Sequence, residues 1–182
     1  MNKVIIFPTD TVYGIGTPIF DIEGINRIYE IKKRPRNKVL ACLCADINQI
    51  DDIAILNEKA IKLINKFMPG PLTLILKSKD IVYEKIGYKT IGVRIPNNEI
   101  ALNILKENGP MLTTSVNESG NVALNEYAEI KDKYEGLVDY IYDTNTNSSN
   151  ISSTVVLIDE FDIKILREGE ISLEDIKNTI KY

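Results

Sequence analysis

The chain has 182 residues, 44% hydrophobic and 26% charged, which is the balance of one ordinary globular domain long enough to bury a core. Its net charge of −4 speaks against a general nucleic-acid binder, and no apolar run nears the roughly 18 residues of a membrane span. The sequence contains no histidine, which excludes Ser-His-Asp and Cys-His catalysis, imidazole general bases and His-ligated zinc. Chemistry must then rest on carboxylates, lysines, arginines, hydroxyls and backbone amides. Such a set suits reactions in which charge is positioned and neutralised, phosphoryl or nucleotidyl transfer above all. The N-terminus carries no secretory pattern, so the cytoplasm is the expected location and no membrane is an expected partner.

In chain order, Val4 to Phe7 reads as a buried strand that stops at Pro8. The loop that follows, Thr9 to Gly16, is rich in hydroxyls and glycine and sits where α/β proteins place ligands. Asp21 caps a helix with Ile25, Ile28, Tyr29 and Ile31 on its inner side, closed by a basic run and Pro35. A strand over Val39 to Cys44 carries both cysteines on one face, which predicts buried reduced thiols. Helices follow over Ile47 to Ile55 and, capped by Asn57, Glu58 to Phe67. Met68-Pro69-Gly70-Pro71 stops the second, and Leu72 to Leu76 is the next strand. Strand Ile91 to Ile95, helix Asn98 to Lys106 and strand Met111 to Thr114 lead into the polar loop Ser115 to Gly120. A charged helix over Glu126 to Tyr134 and a strand over Val138 to Tyr142 precede the Asn/Ser/Thr-rich stretch 144–153, the best candidate for a mobile loop. Thr154 to Ile158 and Lys164 to Arg167 read as paired strands, and Ser172 caps the last helix. Several connections are too short for parallel crossovers. The expected fold is therefore α/β: a single domain over residues 1–182, with a twisted, mixed parallel and antiparallel sheet and flanking helices.

Three constellations carry chemistry. Lys32, Lys33, Arg34, Arg36 and Lys38 place five cations in seven residues of an acidic protein. Helix-dipole capping accounts for one or two of them, and a phosphate site accounts for the density; contact with an RNA backbone is the weaker option. Thr113 to Gly120 sets hydroxyls and an amide at a strand end, able either to cap turns or to read a ligand. Arg94 and Arg167 lie inside or at the end of strands, where they would converge on an anion. No G-x-G-x-x-G or Walker lysine motif is present.

Taken in order, Pro8-Thr9-Asp10-Thr11-Val12-Tyr13-Gly14-Ile15-Gly16, Lys32-Lys33-Arg34-Pro35, Pro69-Gly70-Pro71-Leu72-Thr73, Val93-Arg94-Ile95-Pro96, Ser115-Val116-Asn117-Glu118-Ser119-Gly120, Ser153-Thr154-Val155-Val156 and Ile165-Leu166-Arg167 resemble the motifs of the YrdC/Sua5 family of threonylcarbamoyl-AMP synthases. The resemblance spans residues 4 to about 173. It implies a concave, positively lined pocket and the joining of L-threonine, bicarbonate and ATP, accompanied by Mg2+, into L-threonylcarbamoyladenylate with release of pyrophosphate. The product would feed downstream transferase proteins that install N6-threonylcarbamoyladenosine at position 37 of tRNA.

By the same resemblance, Lys32, Arg34, Arg36 and Arg167 would neutralise the triphosphate, and Thr90, Thr114, Ser115 and Asn117 would complete the ATP site. Thr9, Tyr13, Arg94 and Ser153 would line the threonine end, with Arg94 the partner of the carboxylate. No residue is assigned as an acid–base catalyst or as a metal ligand. Asp10 stands for the family's usual Glu, Asn98 for a frequent histidine, and Val122-Ala123-Leu124-Asn125 for a common P-S-P-T. Two rivals remain: a module that binds RNA or ribosomes through the same basic surface without catalysis, and a carbamoyl-transfer domain of the hydrogenase-maturation type. Weak direct binding of tRNA is compatible with the synthase as well.

Overall fold

The computed structural model describes residues 3–143, 149, 151–159 and 162–181. Among the described residues, nine strands form one mixed sheet: β1 (Ile5–Phe7), β2 (Gly14–Pro18), β3 (Ala41–Leu43), β4 (Leu72–Lys77), β5 (Thr90–Arg94), β6 (Met111–Ser115), β7 (Tyr140–Ile141), β8 (Thr154–Ile158) and β9 (Ile163–Arg167). Their spatial order is β7-β1-β2-β6-β3-β5-β4-β8-β9. The pairs β1/β7, β3/β5 and β4/β8 are parallel and the others antiparallel, so the expected mixed sheet is found.

The helices of the described residues are α1 (Ile22–Ile31), α2 (Ile47–Ile53), α3 (Glu58–Phe67), α4 (Asp80–Ile86), α5 (Glu99–Asn108), α6 (Tyr127–Tyr134) and α7 (Leu173–Ile180). The expected caps of α1, α3 and α7 form, and Asn98 caps α5 as well. The Asp21, Asn57 and Asn98 side chains accept from Gly24, Ala60 and Ala101 N–H, and Ser172 closes a capping box with Asp175. Each such cap contributes on the order of 1 kcal/mol.

Strand alternation sorts the sheet into two unlike faces. On one face, Cys42, Leu72, Leu74, Leu76, Val93, Leu112 and Val156 join the main core with α1, α2, α3 and α7. Both cysteines are buried and free, as their spacing predicts. On the other face, among the described residues, one end is covered: Ala101, Ile104 and Leu105 of α5 pack on Ile5, Phe7, Leu43 and Met111. The rest of that face is open and holds the cleft described below.

The structure corrects several boundaries. Gly14 to Gly16, read from sequence as loop, belong to β2, which pairs with β1 through Phe7↔Gly14. Glycine's weak strand preference hid the strand, yet Gly14 is required there, because a Cβ would sit 2.6 Å from Thr113 Cγ2 of β6. Helix α4 has no side-chain cap to announce it. α2 ends at Ile53 because Ala54 bridges to Ser78. β3 and β7 are shorter than expected. Of the candidate mobile loop, residues 144–148 and 150 lie outside the described residues.

Candidate functional site

A cleft of roughly 360 Å³ lies on the open face. Its floor is read off the strands at every second residue: Ala41 and Leu43 of β3, Thr73 and Ile75 of β4, Thr90, Gly92 and Arg94 of β5, and Thr113 and Ser115 of β6. Small residues at Ala41 and Gly92 keep the floor low. The rim is supplied by Thr9, Thr11 to Gly14, Arg34, Ser152, Ser153 and Arg167. The three charged residues in this lining are arginines, each from a different part of the chain.

At one end, the loop after β1 is tied by its own hydroxyls. The Thr9 side chain donates to Val12 C=O at 2.7 Å and accepts from the Thr11 and Val12 N–H groups. This turn presents Asp10 and Thr11 to Arg94, whose guanidinium donates to Asp10 Oδ1 (2.5 Å), Thr11 Oγ1 (2.8 Å) and Gly70 C=O (3.0 Å). Arg94 is only 6% exposed. Burial lowers its pKa, opposed by the Asp10 charge and hydrogen bond, with nearby Arg167 lowering it further. Two terminal nitrogens retain N–H groups beyond these bonds. Tyr13 is buried, and its backbone N–H is held by Asn125 Oδ1 at 3.0 Å. Asn125, one of the departures from the family pattern, thus fixes the Tyr13 backbone.

Beside this end, Ser153 shares a hydrogen bond with Thr73 (2.8 Å) and accepts from Arg167 at both its carbonyl (2.9 Å) and its hydroxyl (3.1 Å). Arg167 therefore arrives at the rim with a fixed direction and N–H groups to spare.

At the other end stands the basic turn. Arg34 is aimed by two bonds to its own loop, to Lys38 C=O (2.8 Å) and Val39 C=O (2.9 Å). Beneath it, the half-buried Tyr88 hydroxyl takes the Leu40 N–H (3.3 Å) and meets the Tyr29 hydroxyl (3.2 Å), which donates to Lys38 C=O. Burial, then the bond to Tyr29, raises the Tyr88 pKa. Arg36 lies away from the cleft, bonded to Asn26 (2.6 Å) and stacked 4.7 Å over the Tyr29 ring. It packs on α1 and does not join the other arginines.

Lys32 does not line the cleft either. It is completely buried, with Nζ against Ser115 C=O, Asn117 C=O and Asn117 Oδ1. Asn117 faces inward toward it. The structure thus gathers Thr9, Tyr13, Arg34, Thr90, Arg94, Thr114, Ser115, Ser153 and Arg167 around one cleft and leaves Lys32, Arg36 and Asn117 outside its lining. Sequence reasoning passed over Asp10, Thr11 and Thr73 as site groups. The alternation of Thr73 with Leu72 and Leu74 was the signal for one of them. Among the described residues, no group of three acidic or thiol side chains is arranged to hold a metal, and Asp10 is engaged by Arg94.

The Sua5/YciO/YrdC family model, described as "Telomere recombination", matches residues 1–169. A Methanocaldococcus jannaschii protein, provisionally named a threonylcarbamoyl-AMP synthase, is 36% identical over 96% of this chain and 84% of its own length. The crystal structure of Pyrococcus abyssi Sua5 complexed with L-threonine superposes with a TM-score of 0.91 at 34% identity, over 98% of this chain and 54% of that one. This chain therefore spans about half the length of that relative. The crystal structure of Escherichia coli YciO superposes with a TM-score of 0.86 at 30% identity, over 96% of this chain and 87% of that one. No helix among the described residues is long and apolar enough to cross a membrane. By the match of the family model over nearly its whole length, the chain belongs to the Sua5/YciO/YrdC family.

Proposed function

We propose that the protein is an L-threonylcarbamoyladenylate synthase, a nucleotidyltransferase that consumes L-threonine, bicarbonate and ATP. The observation that carries this is the convergence of Arg34, Arg94 and Arg167 with threonine and serine hydroxyls in one cleft, in a fold that superposes closely on a Sua5 holding L-threonine. In the reaction the threonine amine attacks the bicarbonate carbon and water leaves, giving a carbamate. A carbamate oxygen then attacks the α-phosphorus of ATP and pyrophosphate departs. Both steps bring anions together, so the protein's task is to align them and offset their repulsion.

Arg94 would fix the threonine carboxylate through its remaining N–H groups, beside Thr9, Tyr13 and Ser153. Arg34 and Arg167 would hold the triphosphate, with Thr90, Thr114 and Ser115 around the nucleotide. Mg2+ would arrive on the phosphates of ATP. The adenylate would pass to transferase proteins acting on tRNA, for which a weak affinity of this chain is compatible.

Purified protein incubated with ATP, threonine and bicarbonate should release pyrophosphate and yield the adenylate by mass spectrometry. ATP and threonine should each raise the melting temperature without RNA, by mass action. Tight, steeply salt-dependent RNA binding with no response to either small molecule would favour the RNA-binding module instead.

A further inference from the structure

Lys32 is 0% exposed, and among the described residues no carboxylate lies within ion-pair distance of it. An ammonium group has three N–H donors and no more. Here all three have acceptors: Ser115 C=O at 2.5 Å, Asn117 C=O at 2.6 Å and Asn117 Oδ1 at 2.5 Å. None is left for a phosphate.

The same loop is stitched further. Asn117 Oδ1 also accepts from Ser115 Oγ (3.1 Å), Asn117 Nδ2 donates to Asn121 C=O (2.6 Å), and Ser119 N–H donates to the Lys32 carbonyl (3.0 Å). Both polar atoms of the Asn117 side chain thereby bond within the protein. The geometry is that of a buried cation around which a loop is wound, with Ser115 carried at the edge of the cleft.

We infer that Lys32 and Asn117 are positioning residues: the Lys32 ammonium, through Asn117, sets the Ser115–Asn121 loop against which the nucleoside part of ATP binds, and neither side chain touches the phosphates. The nucleoside half of this statement rests on the synthase proposed above; the loop half does not. The N–H donors matter because Lys32 binds neutral oxygens that no apolar side chain of similar length can satisfy.

Calorimetric titration of wild type, Lys32→Met and Asn117→Ala with ATP and with inorganic tripolyphosphate separates the roles. Both variants should lose ATP affinity by about tenfold or more, while tripolyphosphate affinity stays within about twofold. Arg34→Ala should weaken both ligands. Equal loss of tripolyphosphate and ATP in Lys32→Met would make the lysine a phosphate ligand and overturn the inference.

Hydrogen exchange on the unliganded proteins tests the loop directly: amides 115–121 should exchange faster in either variant, with β4 and β5 unchanged. An unaltered loop in Asn117→Ala would also overturn it, and that variant decides the matter if Lys32→Met fails to fold. Should wild type bind no ATP at all, the synthase proposal fails, and the exchange data alone decide the role of Lys32.

Discussion

Two buried cations, Arg94 in the cleft and Lys32 outside its lining, are accommodated in opposite ways. At the Arg94 end, the guanidinium meets a carboxylate, Asp10, and its burial is offset by an opposite charge and two further acceptors. The Lys32 ammonium meets only neutral oxygens, and burial, followed by the charge of Arg34, pushes its pKa down to about 7. Its three oxygen acceptors act in the other direction, holding the proton. A compensated charge makes a frame that is intolerant of losing either partner. An uncompensated one leaves net positive charge inside the protein and responds to pH.

The contrast is sharpened first by removing the counter-charge. Asp10→Ala strands Arg94 without its partner and should cost about 3–5 kcal/mol of stability, measured by urea denaturation. Lys32→Met takes the ammonium donor from three oxygens, of which Asn117 Oδ1 keeps the Ser115 hydroxyl; it strands no charge and should cost about 1–3 kcal/mol. Equal losses in the two variants would erase the distinction between the two cations.

Arg34→Ala comes next. Its side chain ends on its own loop and fills no core, so the fold should persist while kcat/KM for ATP falls roughly 10- to 1,000-fold. Pyrophosphate release near the wild-type rate would remove Arg34 from the phosphate site.

Arg94→Lys probes the other end more gently. Lysine can keep a charge beside Asp10 but cannot reproduce the guanidinium fork. The KM for threonine should rise roughly tenfold, with the KM for ATP little changed. A loss confined to ATP would place Arg94 elsewhere in the reaction.

The smallest effect concerns pH. Between pH 7 and the ordinary lysine value, the unfolded chain holds a proton on Lys32 that the folded protein has released, so unfolding takes up protons and stability rises with pH. The stability of wild type relative to Lys32→Met should therefore increase by about 1 kcal/mol from pH 7 to pH 8. A difference flat across that range would mean that the ammonium keeps an ordinary pKa.

Much of this was legible in the chain because it is local. Side-chain caps marked α1, α3 and α7, and alternation in Leu72 to Leu76 marked a strand with one apolar face. β2 was not legible, since glycine at 14 and 16 removes the side chains that alternation reads. α4 was missed for want of a capping side chain. The basic run announced an anion site, but not which cations face it. The turn at Lys33, which takes the left-handed φ of 49°, leaves Lys32 buried at the end of α1 and Lys33 outside, paired with Glu118. Arg36 is drawn back onto Tyr29. Nor could the sequence pair Arg94 with Asp10 and Thr11, which lie 84 and 83 residues away. Such partners are fixed by strand order, and strand order is a tertiary fact.

The most direct test of the synthase proposal is the dependence of pyrophosphate release on each substrate. With ATP, L-threonine and bicarbonate together, the protein should release pyrophosphate and form a product with the mass of threonylcarbamoyladenylate. Omitting threonine or bicarbonate should abolish both signals. Pyrophosphate release that persists without threonine, or no release from folded protein that binds RNA, would contradict the account.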